Sequence, residues 1–317
     1  MNILVVGGSG YIGGAITDLL LETNHKVIVY DSLLYEDSYR KVVDFIYGDM
    51  RDTNKIKKYL DWSDVVIWLG ALVGDGACAL NPDVSVQINQ NTVKWLSENY
   101  DKRIIFMSTC SVYGAQDGEL NEDSSLNPLS VYAVTKANAE KHLKDKNAII
   151  FRLGTIFGVS DLFSRIRMDL VVNLLTLKAF MDNKLSVFGG DQFRPLLHVK
   201  DVARAVVANV DTGFTGVYNL HRQNVRIIDL AYQIRNHFPD VEMQVSEMQF
   251  QDTRNYRVSS DKAKNILKWK SIYSIDDGID EVKELLENRR IKDVMNPRYT
   301  NQTFLKQFVP ELEKIVY

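Results

Sequence analysis

Two groups of side chains in the sequence are suited to proton transfer. Ser108 and Thr109 follow the apolar run 104–107, which predicts hydroxyl groups at the carboxyl end of a strand, where open α/β sheets bind ligands. Tyr132 and Lys136 are four residues apart in a stretch of helical periodicity, so the ammonium can lie beside the phenol on one helix face. A phenol titrates near ~10 and needs a nearby cation to act as a base at neutral pH. We interpret Thr109, Tyr132 and Lys136 as candidate catalytic residues.

Each of these features is common when it occurs alone. Ser and Thr after a strand usually form turns, and a tyrosine four residues before a lysine occurs on many amphipathic helices. The order of the features along the chain favours the catalytic interpretation, because a glycine-rich turn precedes both of them.

That turn is suited to a phosphate. The apolar run 3–6 leads into Gly-Gly-Ser-Gly-Tyr-Ile-Gly at 7–13 and then into helical periodicity, which predicts a strand, a tight turn and a helix. Glycines let the backbone bend sharply and approach a pyrophosphate at the positive end of the helix. A second apolar run, 26–30, ends in Asp31, whose carboxylate can accept hydrogen bonds from an adenosine ribose. We predict a dinucleotide site, with NAD preferred to NADP because this carboxylate would repel a 2′-phosphate.

The elements that position these residues follow from hydrophobic periodicity. Strands are predicted at 3–6, 27–30, 45–47, 65–69, 104–107 and 148–153, and helices at 15–21, 54–60, 84–99 and 131–144. This alternation is typical of β-α-β units. We therefore predict an α/β fold, a Rossmann-type doubly wound parallel sheet.

The pattern changes after about residue 157. A loop rich in Arg and Asp at 161–169, a long apolar helix through Met181 and a Gly-rich segment at 188–194 indicate a smaller C-terminal lobe that binds the substrate. Short helices, a strand near 241–245 and a charged tail are expected to follow.

The expected domains follow from this change of pattern. They are a dinucleotide-binding domain at 1–157, to which 195–220 returns, and a substrate-binding lobe at 158–194 and 221–317. A chain of 317 residues is long enough for both.

Composition and charge exclude several classes of protein. A hydrophobic content of 45% and a charged content of 25% are ordinary for a globular protein. The net charge of −3 does not indicate a basic surface that would bind nucleic acid. Cys78 and Cys110 are too few for a disulfide framework or a zinc site, so we expect free thiols and no metal. The most apolar run, 65–73, is too short to span a bilayer, and the first strand begins at once, without a signal peptide. We expect a cytoplasmic protein with no membrane or nucleic-acid partner.

The combination of these motifs resembles the extended short-chain dehydrogenase/reductase family, in its NAD-dependent nucleotide-sugar epimerase/dehydratase branch, over nearly the whole chain. The resemblance implies cofactor contacts from Gly7, Gly10, Tyr11, Ile12, Asp31, Asp49, Met50, Leu69, Ala71, Asn89, Tyr132 and Lys136. It implies substrate contacts from Val73, Cys78, Thr109, Thr155, Asn173, Arg194 and Arg254. Among these, Asn173, Arg194 and Arg254 are at positions similar to those that hold the nucleotide diphosphate. The family also implies a homodimer built on a four-helix bundle from 84–99 and 131–144.

Departures from the family pattern narrow the expected reaction. The 4,6-dehydratases of this branch carry Asp-Glu directly after the catalytic Thr, and this chain has Cys110 and Ser111 there. Elimination of water is therefore disfavoured, and so is decarboxylation, which also uses a glutamate near this point. We expect NAD-dependent oxidoreduction at a ring carbon of a nucleotide sugar, C4 by resemblance, most simply epimerisation through a 4-keto intermediate.

Alternatives to epimerisation remain at this stage. A one-way 4-dehydrogenase or 4-keto reductase fits the same residues. A non-catalytic, NAD-binding sensor is disfavoured because both Tyr132 and Lys136 are present. Thr155 stands where many 4-epimerases have a substrate-binding Asn, so the particular sugar stays open.

Overall fold

The computed structural model describes residues 1–246 and 255–314, with side chains described as far as residue 307. Its strands are β1 (Asn2–Val6), β2 (Lys26–Asp31), β3 (Asp44–Tyr47), β4 (Val65–Trp68), β5 (Arg103–Thr109), β6 (Glu119–Leu120), β7 (Ala148–Leu153), β8 (Thr155–Phe157), β9 (Lys184–Phe188), β10 (Phe193–His198), β11 (Gly216–Leu220), β12 (Gln223–Arg226), β13 (Glu242–Ser246) and β14 (Arg257–Val258). Its α-helices are α1 (Tyr11–Leu21), α2 (Thr53–Trp62), α3 (Asp75–Cys78), α4 (Pro82–Val86), α5 (Thr92–Asn99), α6 (Val131–Leu143), α7 (Val171–Asp182), α8 (Val199–Val207), α9 (Ile227–Asn236), α10 (Asp261–Ile266), α11 (Ile275–Glu287) and α12 (Asn301–Lys314).

Seven parallel strands form the central sheet, in the order β3-β2-β1-β4-β5-β7-β11. Strand β1 shows why its sequence is apolar at every position: Ile3 and Val5 pack in the core beneath α1 and α8, and Leu4 and Val6 pack in the core beneath α2, α5 and α6. A strand covered on both faces buries successive side chains in opposite directions, and each such side chain contributes about 1.5–3 kcal/mol through burial. The predicted doubly wound α/β fold is confirmed.

The position of the cleft follows from the strand order. From β1 the chain continues to β2 and β3 on one side of the sheet, whereas β4, β5, β7 and β11 lie on the other side. The loops after β1 and β4 therefore diverge and leave a crevice at the carboxyl ends of these two strands, as in other open α/β sheets.

The second lobe is built around smaller sheets. Strand β10 pairs with β8 in parallel and with β12 in antiparallel fashion, and β9 pairs with β13. Helices α7, α9 and α11 bury their apolar sides against these strands. Within 195–220, β11 lies in the central sheet and α8 packs on α1, whereas β10 belongs to the three-stranded sheet of this lobe.

Two predicted elements differ in detail. The helix expected at 84–99 consists of α4, a π-helical turn (Gln87–Asn91) and α5. A π-helical turn shifts the helix register by one residue, and here it brings Asn89 inward. The expected charged tail contains helix α12, whose Phe304 and Leu305 are buried against Leu72 and Cys78; apolar residues at helical spacing therefore give it a packed face.

A buried ion pair joins α6 to the central sheet. Arg152 on β7 donates two hydrogen bonds from Nε and one of 2.6 Å from Nη2 to the carboxylate of Glu140 on α6. Ser108 on β5 donates to the same carboxylate, and Arg152 also donates to the hydroxyl of Tyr113 at 2.8 Å. The side chains of Glu140 and Arg152 are each 6% exposed. Because the charged groups are fully hydrogen-bonded, the pair fixes the position of α6 relative to β5.

Replacing Arg152 with Met is expected to lower the free energy of unfolding by about 3–5 kcal/mol, because the carboxylate of Glu140 is left buried without its cation. Urea denaturation measures the change. The control is Lys57→Met, which breaks the exposed pair with Asp61 on α2, where the side chains are 41% and 62% exposed; its effect should stay below about 1 kcal/mol. Equal effects of the two substitutions would contradict the stabilising role of the buried network.

Candidate active site

A cavity of about 1160 Å³ extends from the carboxyl edge of the central sheet to the second lobe. Fifteen of the residues proposed from the sequence line it: Gly7, Gly10, Tyr11, Ile12, Asp31, Asp49, Met50, Leu69, Ala71, Val73, Thr109, Tyr132, Lys136, Thr155 and Arg194. Three others, Asn89, Cys78 and Asn173, are buried outside this lining. Arg254 lies outside the described residues.

The backbone of the glycine-rich turn forms one end of the cavity, because its glycines have no side chains. Gly7 has φ of +82°, and a Cβ there would stand 2.5 Å from the backbone nitrogen of Gly70, after β4. Only glycine combines that conformation with so close an approach. Helix α1 begins after Gly10, and no side chain of the described residues caps it, so N–H groups of its first turn remain for an anion.

Carboxylates and a methionine surround the next part of the cavity. Asp31 accepts hydrogen bonds from the backbone N–H of Ser9 at 3.0 Å and of Leu33 at 2.7 Å. Burial raises the pKa of Asp31, and these hydrogen bonds oppose the shift. Asp49 is paired with Arg51 at 2.6 Å, while the side chain of Met50 lies against Gly70. A fixed carboxylate at the end of β2 and an apolar wall beside it fit the adenosine half of a dinucleotide.

Thr109, Tyr132 and Lys136 meet at the carboxyl end of β5. Ser130 caps α6 by accepting a hydrogen bond from Ala133 N–H at 3.1 Å, which fixes the first turn that carries Tyr132. Thr109 lies beside Tyr132 and lowers the pKa of its phenol. Lys136, one turn further along α6, donates from Nζ to the carbonyl oxygen of Met107 at 2.8 Å.

Burial sets the protonation of both groups. It raises the pKa of Tyr132, whereas the charge of Arg167 and the nearby Thr109 side chain act in the opposite direction. Burial lowers the pKa of Lys136 to about 8, although the charges of Cys78 and Glu140 oppose this shift. Arg167 is a cation that lowers the pKa of Tyr132, while Lys136 Nζ donates to the carbonyl oxygen of Met107. The action of Lys136 on the phenol, expected from the sequence, stays a prediction.

Residues Asn89 and Cys78 support the wall of the cavity from behind. Asn89 accepts a hydrogen bond from Leu72 N–H at 2.8 Å and donates to the carbonyl oxygen of Leu72 at 2.9 Å. Cys78 donates to the same carbonyl oxygen, and burial raises its pKa to about 11. The sequence predicted ligand contacts for both residues, but their polar atoms are used to hold the segment after β4.

Asn173 also serves the backbone and does not line the cavity. Its Oδ1 accepts from Gly158 N–H at 2.9 Å, and its Nδ2 donates to the carbonyl oxygens of Gly158 and Arg167 at 3.0 and 2.8 Å. With 1% exposure, this amide closes the loop before α7, which explains why it is not at the cavity surface as expected.

The two residues after Thr109 occupy different environments. Cys110 is fully buried, donates to the carbonyl oxygen of Arg152 at 3.3 Å and has a pKa raised by burial. Ser111 lines the cavity, 3.4 Å from the hydroxyl of Tyr256. A carboxylate of the opposite wall, Asp75, accepts a hydrogen bond from Ser130 at 2.6 Å.

The sequence motifs did not identify a group of cavity residues that come from distant parts of the chain: Tyr35, Arg165, Arg167, Asp169, Asn301 and Gln302. The high content of Arg and Asp at 161–169 was a signal, since buried arginines in one loop suit an anion. No comparable signal exists for Asn301, because it reaches the cavity only when α12 packs beside α3.

We expect Lys136 to titrate near pH 8, well below the ordinary value of 10.5. The reason is that the folded protein disfavours the buried ammonium, so the amine loses its proton at lower pH than in the unfolded chain. Carbon-13 NMR of labelled lysines measures the pKa, and loss of the signal in Lys136→Met assigns it. A Lys136 signal that titrates at or above 10.5 would contradict the proposed burial of the charge.

No helix in the described part of the chain combines the length and apolar character that crossing a bilayer requires.

Comparison with known proteins agrees with this geometry. The model of the NAD dependent epimerase/dehydratase family matches residues 3–220. An uncharacterised UDP-glucose epimerase of Bacillus subtilis is 28% identical over 66% of this chain and 72% of its own length. The UDP-glucuronate 4-epimerase of Thermodesulfobacterium geofontis is 25% identical over 87% and 93% of the two chains.

A solved structure confirms the fold independently. The dTDP-glucose 4,6-dehydratase DesIV of Streptomyces venezuelae, crystallised with NAD, superposes with a TM-score of 0.79 over 92% of this chain and 98% of that chain, at 22% identity. The resemblance drawn from the motifs is confirmed by the family match. The chain belongs to the NAD dependent epimerase/dehydratase family of extended short-chain dehydrogenases/reductases, and it is an NAD-dependent enzyme of that family.

Proposed function

We propose that this enzyme oxidises and then re-reduces a ring carbon, C4, of a nucleotide-diphosphate sugar, and so epimerises it. The observation that carries the proposal is the placement of Thr109, Tyr132 and Lys136 in one cavity with the glycine-rich turn at 7–13 and with Arg194. A dinucleotide and a sugar nucleotide can then meet beside the phenol. The names of the relatives, which include UDP-sugar 4-epimerases, support the same substrate class.

Tyr132 is the proposed general base. Thr109 lies beside its phenol, so both can contact one sugar hydroxyl, Tyr132 to remove its proton and Thr109 to orient it. NAD, when bound, would supply the hydride acceptor for the ring carbon and the donor for its reduction. In the reduction Tyr132 gives the proton back to the sugar oxygen. Lys136 is proposed to bind the cofactor ribose from its place one turn beyond Tyr132.

The raised pKa of Tyr132 means that the phenol needs positive charge near it to lose its proton at neutral pH. Arg167 is one source of that charge within the chain. A second cation close to the hydroxyl would lower the pKa further, because charge interactions are strong at a buried site.

The other end of the cavity is proposed to hold the nucleotide diphosphate. Arg194 lies on β10, is 6% exposed and lines the cavity. Its planar guanidinium can donate paired hydrogen bonds to phosphate oxygens. Val73 and Thr155 also line the cavity and are proposed to contact the sugar. Arg254 remains a predicted partner of Arg194.

Elimination of water is less well supported than epimerisation. A dehydratase needs an acid and a base beside the sugar, and the two positions after Thr109 provide a buried thiol and a hydroxyl. Cys110 has a pKa raised by burial and donates to Arg152, so it can serve neither as the acid nor as the base at neutral pH.

We also propose the homodimer that the family resemblance implies. The run of α4, the π-helical turn and α5 lies beside α6, with Asn138 Nδ2 donating to Gln90 Oε1 at 3.0 Å, and Val134 of α6 is 40% exposed. Pairing of this face with its copy would bury Val134 in a four-helix bundle. Analytical ultracentrifugation tests it, and a monomer at micromolar concentration would contradict the proposal.

Replacing Tyr132 with Phe is expected to reduce turnover about 10²- to 10⁴-fold, the range for loss of a general base. The shape of the side chain is kept, so NAD and sugar-nucleotide affinity should change little. A panel of nucleotide sugars is incubated with the enzyme, and NMR of the sugar and absorbance of reduced cofactor follow the reaction. Tyr232→Phe, at a 48% exposed position on α9, is the control. Near wild-type turnover of Tyr132→Phe would place the base elsewhere.

Replacing Arg194 with Ala is expected to weaken binding of the nucleotide diphosphate roughly 10- to 100-fold, because charged hydrogen bonds to phosphate are lost. Binding of NAD should not change. Isothermal titration calorimetry with UDP measures the effect. Arg226→Ala is a matched control, because Arg226 is paired in register with Phe193 on the neighbouring strand but its side chain is 43% exposed and pairs with Asp229. Unchanged UDP affinity in Arg194→Ala would contradict the assignment.

A further inference from the structure

A buried arginine in the wall of the cavity has no acidic partner within ion-pair distance among the described residues. Arg165 is 5% exposed. Its Nε and Nη2 donate to the backbone carbonyl oxygen of Arg298 at 3.3 and 3.0 Å, and its guanidinium carbon lies 3.4 Å from the centre of the Tyr35 ring. The neighbouring Arg167, by contrast, forms an ion pair with Asp169 at 2.9 Å. Arg165 therefore brings a buried positive charge to the cavity wall without a direct ion pair, and the carboxylates of Asp169 and Glu36 act on it only from beyond ion-pair distance.

The loop that carries Arg165 lies directly on the first turns of α1. Tyr11 donates from its hydroxyl to the carbonyl oxygen of Gly158 at 2.7 Å, and Ala15 N–H donates to Ser160 Oγ at 2.9 Å. A Cβ on Gly14 would collide with the side chain of Ser164. Arg165 follows Ser164 and lines the cavity, so its charge stands near the uncapped N-terminus of α1.

Two buried polar atoms of residues in the cavity lining have no hydrogen-bond partner among the described residues: the hydroxyl of Tyr35, whose ring lies against Arg165, and Oδ1 of Asn301. Both residues line the cavity. Asn301 is 3% exposed and is held in place by its Nδ2, which donates to the carbonyl oxygen of Val73 at 2.6 Å. Buried polar groups are nearly always hydrogen-bonded, so a free donor and a free acceptor at one cavity wall indicate a polar ligand.

The ligand chemistry follows from the position of these groups. Tyr35 is four residues beyond Asp31, the carboxylate proposed to hold the adenosine ribose, and the ring of Tyr35 stacks beneath Arg165. A group that lies between that ribose and the N-terminus of α1 is, in a dinucleotide, the diphosphate. Arg194, the residue proposed for the sugar nucleotide, is on β10 of the second lobe.

We propose that Arg165 and the hydroxyl of Tyr35 clamp the diphosphate of NAD against the N-terminus of α1. The proposal rests on NAD being the cofactor. Phosphate oxygens accept hydrogen bonds from the guanidinium and from the tyrosine hydroxyl, while Asn301 Oδ1 accepts one from a ribose hydroxyl. Because Arg165 belongs to the second lobe and Asn301 to α12, bound cofactor links both to the central sheet.

The electrostatics of the site agree with an anionic ligand. Burial lowers the pKa of Arg165 to about 10, and the neighbouring Arg167 lowers it as well. Two guanidinium groups close together with only one carboxylate, Asp169, in an ion pair leave a site in which an anion reduces the penalty for buried charge.

The test compares Arg165→Met with wild type by isothermal titration calorimetry. Methionine keeps apolar contact with the Tyr35 ring and removes the charge. Affinity for NAD and for ADP-ribose, which carries the same diphosphate and both riboses, should fall roughly 10- to 100-fold, the range for a lost charged hydrogen bond. Affinity for UDP should not change, and this arm separates the cofactor's diphosphate from that of the sugar nucleotide.

Arg298→Met is the matched control, because it removes a positive charge from the same region but its side chain pairs with the exposed Asp37 at 3.1 Å and does not line the cavity. It should bind NAD as wild type does. Equal NAD affinity in Arg165→Met and Arg298→Met would overturn the clamp, and so would a loss confined to UDP. Failure of the wild-type protein to bind NAD would instead overturn the cofactor on which the clamp rests.

A second variant covers the case in which Arg165→Met does not fold. Tyr35→Phe removes only a hydroxyl that has no partner among the described residues, so its melting temperature should not fall. Its affinity for ADP-ribose should decrease several-fold, by the loss of one hydrogen bond to phosphate. Unchanged affinity for ADP-ribose in a folded Tyr35→Phe protein would overturn the part of the proposal that concerns Tyr35.

Discussion

The close backbone contact between the loop after β1 and the loop after β4 determines the geometry of the cleft. Gly7, at the end of β1, and Gly70, after β4, approach so closely that a Cβ on Gly7 would stand 2.5 Å from the Gly70 nitrogen. A side chain at position 7 would push the two loops apart, and it would also be strained at φ of +82°. Asp31 and Thr109 come from strands on opposite sides of this contact, so they face one cavity only while β1 and β4 remain side by side.

Buried charge holds the reactive side chains against that sheet. Lys136 and Glu140 are one turn apart on α6, and they reach β5 at Met107 and Ser108 respectively. Arg152 neutralises Glu140, whereas Lys136 has a carbonyl oxygen as its partner. The two anchors therefore differ in function. The Glu140–Arg152 pair keeps both charges, whereas burial lowers the pKa of the Lys136 amine to about 8, so the charge of Lys136 depends on pH near neutrality.

The sequence predicts the central sheet well and the second lobe less well, and the reason is physical. Strands covered on both faces are uniformly apolar runs, as in β1 and β4. Strands such as β8 and β12 have three and four residues, too few to show a period. The roles of polar residues are still harder to predict from the sequence. Asn89 and Asn173 resemble ligand-binding amides in the sequence, yet each forms hydrogen bonds with buried backbone groups. Arg165 could be noticed in the sequence because its loop is rich in arginine. Its contact with the ring of Tyr35 could not, because the two residues are distant in sequence.

The proposed epimerisation places two different demands on the cavity. The nucleotide end has to stay fixed while the sugar turns over to present its other face to the hydride, which requires strong contacts at one end and few directional contacts at the other. Arg194 is buried in the second lobe and suits the fixed end. Val73 and Ala77 in the cavity wall are apolar, and Cys110 is buried with its Sγ donating to Arg152. In a dehydratase an acid and a base directly after the catalytic threonine would restrict the rotation of the sugar. Because Cys110 and Ser111 stand at these two positions, no carboxyl group is present there to oppose the rotation that the proposed epimerisation needs.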